Sequence, residues 1–214
     1  MTTARESQRT HWLLVGVLVA LAVPAHFALD ERVARAAHDA KLVQSQVLQW
    51  TTELGEGVWW LVPAGIVFVV AAWRKQHNIA RWAFAVIVAV ASSGLLVTLF
   101  KLSGRMRPKL LLEQGLYGFE PFTMGYDYRS FPSGHATTCG AALMALALAF
   151  PRWRWPLLAI AVAIAATRVA ITAHYLSDIL AGLALGMACA LAADAIWRRR
   201  WPASAPVPAG ATAG

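Results

Sequence analysis

Residues 168 to 178 read Arg168-Val-Ala-Ile-Thr-Ala-His174-Tyr-Leu-Ser-Asp178 and set a guanidinium, an imidazole and a carboxylate between two strongly apolar segments. No solvated loop needs that set. On a helix or at a helix entrance, His174 and Asp178 are four apart and share a face, so the carboxylate accepts a hydrogen bond from one ring nitrogen and leaves the other free. Such an imidazole is a nucleophile or a base. Arg168 lies six positions before His174, the wrong face of a continuous helix, so the chain is expected to break between them and fold the guanidinium back over the ring. An arginine beside a nucleophile points to an anionic substrate, above all a phosphoryl group, whose oxygens match the planar donor fork. The stretch alone also admits a plainer reading, with Arg168 and Asp178 a helix-end ion pair and His174 a surface residue.

The composition around this stretch narrows the class. Of the 214 residues, 58% are hydrophobic and 14% charged, against roughly 45–50% apolar in soluble domains. The chain reads as an integral membrane protein of the all-α class. Helices of about 20 residues each use this whole length as one unit, so residues 1–200 are expected to form a single membrane domain. Residues 201–214, with repeated Ala, Pro and Gly, read as a disordered cytoplasmic tail. The net charge of +8 does not point to nucleic acid, because the basic residues fall at helix ends instead of clustering among exposed aromatics. Cys139 and Cys189 lie inside apolar runs without metal-ligand spacing and read as small core hydrophobes.

Six spans follow from the apolar runs. The first covers residues 11–29, too long for a cleaved signal and followed by further spans. Residues 30–56 carry Asp30, Glu31, Arg32, Arg35, Asp39 and Lys41 with Val33, Ala36, Ala37 and Ala40 at helical spacing, the pattern of an amphipathic surface helix. The second span runs from Trp59 to Trp73, with aromatic residues at both ends, and the third from about Ile79 to Leu102. Residues 103–134 form the longest polar interval, a length that is usually functional or disordered inside a compact bundle. Its aromatic residues, Tyr117, Phe119, Phe122, Tyr126 and Tyr128, argue against disorder and read as packing anchors. The fourth span covers His135 to Phe150, the fifth Leu157 to Arg168, and the sixth opens at Asp178. The sixth carries Ala181, Gly182, Ala184, Gly186, Ala188 and Ala190, small residues that let helices approach closely.

Lysines and arginines orient the bundle. One side receives Arg5, Arg9, Arg74, Lys75, Arg81, Arg152, Arg154 and Arg198 to Arg200, in short loops and tails where the positive-inside rule applies. The other receives Arg32, Arg35, Lys41, Lys101, Arg105, Arg107, Lys109, Arg129 and Arg168, in the surface helix and in stretches assigned to chemistry. Both termini are therefore expected in the cytoplasm, with Lys101, the 103–134 loop, Arg168 and His174 together on the outer face. His26 and His77 read as interfacial bystanders.

Three stretches converge on that face: Lys101 to Pro108, Phe131-Pro-Ser-Gly-His135, and Arg168 to Asp178. In order and residue type they resemble the three signature motifs of the type-2 phosphatidic acid phosphatase superfamily, which is related to the vanadium-dependent haloperoxidases. Pro132-Ser133-Gly134-His135 matches the second motif throughout. Arg168, His174 and Asp178 match the third, with Thr167 where a serine is usual. In the first, five residues separate Lys101 from Arg107-Pro108 where the family has six, and Arg105 is a candidate to share the role of Lys101.

The resemblance implies a phosphohistidine mechanism. His174 is the nucleophile, held by Asp178, and His135 is the acid that protonates the leaving oxygen and then the base that activates water. Lys101, Arg107, Arg168, Ser133 and the Gly134 backbone N–H hold the phosphate, the last at a helix N-terminus suited to anions. No metal or cofactor is implied. The implied partner is a membrane lipid phosphate: undecaprenyl diphosphate, phosphatidylglycerol phosphate, phosphatidic acid or the 1-phosphate of lipid A. The implied location is a bacterial inner membrane, with no indication of oligomeric state. A lipid phosphotransferase using the same intermediate, and a non-catalytic lipid-phosphate binding or transport protein, are the alternatives. Against these stand plainer meanings of each piece: a capping turn for Pro-Ser-Gly, and snorkelling cations for Lys101 and Arg107.

Overall fold

The computed structural model describes residues 2–200, and the expected tail at 201–214 lies outside them. Among the described residues the chain is helical without sheet, apart from an isolated bridge between Arg105 and Phe119. Helix α1 covers Thr2–Ala28. Its apolar part, Gln8–Ala28, is long enough to cross a membrane. A one-residue break at Leu29 leads into α2, Asp30–Asp39, whose first turn carries Asp30 and Glu31, the charge sign that a helix N-terminus favours.

The expected single surface helix over 30–56 is in fact two. Lys41 adopts a left-handed φ of 54°, and a short 3-10 turn, Leu42–Gln44, separates α2 from α3, Gln46–Glu53. Ser45 restarts the helix by accepting the Leu48 N–H, an ordinary N-cap. No Gly or Pro marks this break in the sequence. Helix α2 is amphipathic as expected, but it is not merely peripheral, since Asp30 and Ala34 are buried.

Helix α4, Val58–Trp73, meets α3 at 40°, the geometry of a broken span or of a re-entrant loop. Val62, Ile66, Val69 and Trp73 of α4 are exposed, a contiguous apolar surface that suits lipid. Next come α5, His77–Phe100, with a 3-10 extension to Ser103, and α6, Pro108–Gln114, inside the long loop. Then follow α7, Gly134–Ala149, α8, Arg154–Ala170, and α9, Leu176–Arg200. Among the described residues four segments are long and apolar enough to cross a membrane, or five if the bent α3–α4 pair is one span. The fourth expected span, His135 to Phe150, corresponds to α7. Its 16 residues reach only about 24 Å at 1.5 Å per residue, short of a hydrocarbon core of about 30 Å.

Helix α7 is the centre of the bundle, packed on α5, α8 and α9. One core cluster joins Val86, Ala89 and Val90 of α5 to Met144 and Leu191. A second joins Cys139 and Leu143 to Ile164, Ala165 and Leu183. Both cysteines are buried and unpaired. The small residues of α9 do what their spacing suggests. A Cβ on Gly182 would stand 2.7 Å from the Ser133 carbonyl oxygen, and one on Gly186 would collide with backbone of Thr137 and Ala141. Contact that close gives the helices dispersion energy, because lipid tails supply no hydrophobic drive between them.

Gly186→Val is expected to cost at least about 3 kcal/mol, the upper range for overpacking, because backbone and not a flexible side chain opposes it. Gly16→Ala, where a Cβ meets nothing within 4 Å, should be neutral or stabilising by up to about 1 kcal/mol. Thermal unfolding in detergent checks both, and equal midpoints for the two variants would contradict the α7–α9 account.

Candidate active site

The 103–134 interval is an ordered cap. Gly104 turns with a left-handed φ of 65°, a position where a Cβ would strike the Glu120 carbonyl. The chain then runs extended into α6, with the Arg107 N–H on the Asp127 carbonyl at 2.7 Å and the Ser130 N–H on the Arg105 carbonyl at 3.0 Å. Lys101, at the end of the α5 span, reaches back under this cap. Its Nζ donates to the carbonyls of Arg129 at 2.7 Å and Pro132 at 3.4 Å.

The break expected between Arg168 and His174 is present. The Ala173 N–H bonds the Arg168 carbonyl and the Thr172 N–H bonds that of Val169, each at 2.9 Å, which is the Schellman pattern of a helix end. Its left-handed residue is Thr172, φ 55°, a β-branched side chain in a conformation that costs of order 1–3 kcal/mol. Through this turn His174 lies outside both helices, its N–H also on the Arg168 carbonyl at 3.1 Å. The imidazole is 2% exposed, and its Nδ1 stands 3.6 Å from Asp178 Oδ2. That is ion-pair range and too long for a hydrogen bond. Ser130 sits between them, donating from Oγ to Asp178 Oδ2 at 2.6 Å and lying 3.4 Å from His174 Nδ1. The Tyr175 N–H also bonds Asp178 Oδ2, at 3.0 Å. Because Nδ1 faces Asp178 and Ser130, Nε2 is the nitrogen left for chemistry.

The other imidazole opens α7. Ser133 is the N-cap, its hydroxyl accepting the Ala136 N–H at 3.5 Å, and its own N–H bonds the Asp178 carbonyl at 3.1 Å. The Pro132-Ser133-Gly134-His135 stretch is thus tied by backbone to the entrance of α9. Gly55, in the α3–α4 bend, packs against His135 so closely that a Cβ would stand 2.7 Å from its ring. A cleft of about 360 Å³ opens there, lined by His135, Gly134, Thr138, Gly94 and Glu56. The charges of Arg168, Arg107 and Lys101 act on His135.

The phosphate-holding candidates are anchored as follows. Arg107 donates from Nε to the Tyr126 carbonyl and from Nη1 to the Ala173 carbonyl, both at 3.0 Å, with the Tyr126 ring 4.0 Å away. Arg168 donates to Thr52 Oγ1 at 3.0 Å and keeps a buried Nε without a partner among the described residues. Thr167 turns its hydroxyl back onto the Ile164 carbonyl in its own helix, at 2.6 Å. Among the described residues no three His, Cys, Asp or Glu side chains gather as a metal site.

Arg105 is elsewhere. It is 1% exposed, and its guanidinium bonds Asp178 Oδ1 and Asp30 Oδ2, each at 2.6 Å, and Ser177 Oγ at 2.7 Å. Burial works against its charge, but the two carboxylates outweigh burial and raise its pKa. A share in the role of Lys101 is therefore set aside, because its donors face carboxylates behind His174. His26 is likewise no bystander. It lies four residues before Asp30, with Nδ1 3.7 Å from Oδ2, and it hydrogen-bonds Tyr117 at 2.7 Å. That spacing was available in the sequence. Of the loop aromatics, Tyr117 packs, edge-on to Tyr175 with centroids at 5.2 Å. Phe122 and Tyr126 are exposed. Ser130, Thr52 and Asp30 are site neighbours that no motif announces.

A helical membrane bundle with one histidine opening its central helix, a second beside a buried carboxylate, and cations held nearby defines the class. The PAP2 superfamily model matches residues 82–202, more than half of the chain, and the protein belongs to that superfamily. Proteins named lipid A 1-phosphatase from Rhizobium etli and Rhizobium johnstonii are each 44% identical over 115 residues, 53% of this chain. The match covers 50% and 47% of those relatives, so the chain spans about half the length of the curated relatives it matches. The fold is similar to crystal structures of LpxE from Aquifex aeolicus and of a PAP2-type phosphatidylglycerolphosphate phosphatase from Bacillus subtilis. Their TM-scores are 0.58 and 0.63, each at 20% identity. The likeness covers 78% and 91% of this chain, and 96% and 98% of theirs.

Burial first, with the Arg107 and Arg168 charges adding and Asp178 opposing, pushes the His174 pKa down to about 4 from 6.5. The unfolded chain takes a proton here below about pH 6.5 and the folded chain only near 4, so this group's stability is complete above 6.5. It is lost as pH falls through that window, by roughly 3 kcal/mol. In detergent unfolding from pH 7.5 to 4.5, wild type should lose more stability than His174→Asn. Identical pH dependence would contradict the buried neutral imidazole.

Proposed function

We propose that this protein is an integral membrane lipid phosphatase that removes a terminal phosphate from a lipid phosphate or diphosphate through a phosphohistidine intermediate. The observation that carries this reading is the buried His174 imidazole, with Nδ1 toward Asp178 and Ser130 and Nε2 left for attack. Nε2 forms a bond to phosphorus as the bond from phosphorus to the lipid oxygen breaks, and His135 gives that oxygen its proton. His135 then accepts a proton from water as the water oxygen attacks phosphorus. The P–N bond breaks, and inorganic phosphate leaves.

The anion needs donors to replace the water it sheds. Lys101 spends two of its three N–H bonds on carbonyls, Arg168 holds a free buried Nε, and Arg107 adds charge. The Ser133 hydroxyl accepts a capping bond yet keeps its own proton to donate, beside the Gly134 N–H at the start of α7. These cationic and dipolar groups supply the charge stabilisation of phosphoryl transfer, and no cofactor enters the scheme. Among candidate lipids, the two Rhizobium relatives favour the 1-phosphate of lipid A. Undecaprenyl diphosphate, phosphatidylglycerol phosphate and phosphatidic acid complete the panel. In this reading α7 and the bent α3–α4 pair complete six spans in a bacterial inner membrane. Both termini are cytoplasmic and the site faces outward.

Purified protein in detergent should release phosphate from at least one lipid of the panel, should be inhibited by vanadate as a mimic of the trigonal-bipyramidal phosphorus, and should be insensitive to EDTA. His174→Ala should lower turnover at least about 10⁴-fold with the fold retained. Normal turnover in that variant would remove the reading. Phosphate transfer only in the presence of an acceptor lipid would replace it with a phosphotransferase.

A further inference from the structure

We propose that Arg105 is a positioning residue for the nucleophile: it clamps Asp178 against Asp30 so that the second Asp178 oxygen faces His174, and it holds no phosphate. The inference rests on the phosphatase reading in one respect only, that His174 is the attacking group. The guanidinium spans two carboxylates from distant parts of the chain, Asp30 at the start of α2 and Asp178 in the first turn of α9, with separate nitrogens at 2.6 Å from each. Ser177 locks the pair further, its N–H on Asp30 Oδ1 at 2.9 Å and its hydroxyl bonded to Asp30 Oδ2. Asp178 Oδ1 is thereby committed to Arg105. Oδ2 is left to take the Ser130 hydroxyl and the Tyr175 N–H, and it is the oxygen 3.6 Å from His174 Nδ1.

Asp178 is fully buried, so without Arg105 its carboxylate would have to turn toward another cation or take up a proton, and either change releases the imidazole. The geometry needs a fork. An ammonium is a point charge on a flexible stem and does not hold two divergent carboxylates at fixed angles. Lysine at this position keeps the charge and loses the alignment, which separates positioning from simple charge balance.

The test compares wild type, Arg105→Lys and Asp30→Asn in detergent by kcat, KM, product inhibition by inorganic phosphate and the ¹⁵N shifts of the histidine rings. Arg105→Lys should lower kcat about a hundredfold, the scale of a small misplacement at a reacting centre. KM and the inhibition constant of inorganic phosphate should stay within about threefold of wild type. Asp30→Asn should lower kcat about tenfold, a smaller misalignment on the same scale. The His174 ring shifts should move while those of His135 stay. Wild-type kcat in Arg105→Lys overturns the clamp, and so does an inorganic-phosphate inhibition constant that rises in step with the loss of kcat, the behaviour of a phosphate ligand. Should Arg105→Lys fail to fold, Asp30→Asn decides alone, and wild-type kcat there counts against the clamp. Wild type inactive on every lipid overturns the phosphatase reading instead. The His174 ring shifts then decide the clamp, unmoved shifts overturning it.

Discussion

A carboxylate sealed from water must be paired, and the burial of Asp178 in the first turn of α9 sets the terms for this end of the molecule. Stripping an ion of solvent costs several kcal/mol even after relaxation, and only good geometry with every lone pair engaged offsets that. Asp178 meets the condition with Arg105, the Ser130 hydroxyl and the Tyr175 N–H. Arg105 in turn requires Asp30, which draws the start of α2 inward. A chain of obligatory partners therefore runs from the first span through the capping loop to the last span, and His174 sits at its edge.

The second constraint is steric. Glycines on α9 let its backbone lie directly against α7, and the Ser133 N–H bonds the Asp178 carbonyl where the two helices begin. The helix that starts with Gly134 and His135 is thus fixed in register with the helix that carries Asp178. Rigid elements place reactive groups better than loops do. Here the loop residues Lys101, Arg107 and Ser130 are themselves held by backbone carbonyls or by the buried carboxylate.

Much of this was legible in the sequence, for physical reasons. Long uncharged runs cannot hide, so the spans starting near His77, Pro151 and Leu176 stand out. A six-residue offset between Arg168 and His174 forbids one helical face, so the turn between them was readable even though Thr172 is an unlikely residue for it. Lys41 shows the opposite case: its left-handed conformation splits α2 from α3 without any Gly or Pro to announce it. The span status of α7 depends on what surrounds a 16-residue apolar helix, and periodicity does not reveal neighbours. Motif residues gave the site its chemistry but not its wiring. Lys101, Arg105 and Arg107 are three cations within seven positions, and charge alone does not say that the middle one turns away. Ser130 is a lone hydroxyl in a loop, invisible until Asp178 is beside it. His26 and Asp30, four apart on a helical stretch, carried a signal that an isolated histidine does not.

The central claim is a covalent bond between phosphorus and one imidazole. Rapid quenching of the protein with a lipid substrate labelled in its terminal phosphate, followed by peptide mapping, tests it most directly. The account predicts an acid-labile, base-stable label on the peptide containing His174, absent from His174→Ala. A label on His135 or any other residue, or turnover with no labelled protein at any quench time, would contradict it.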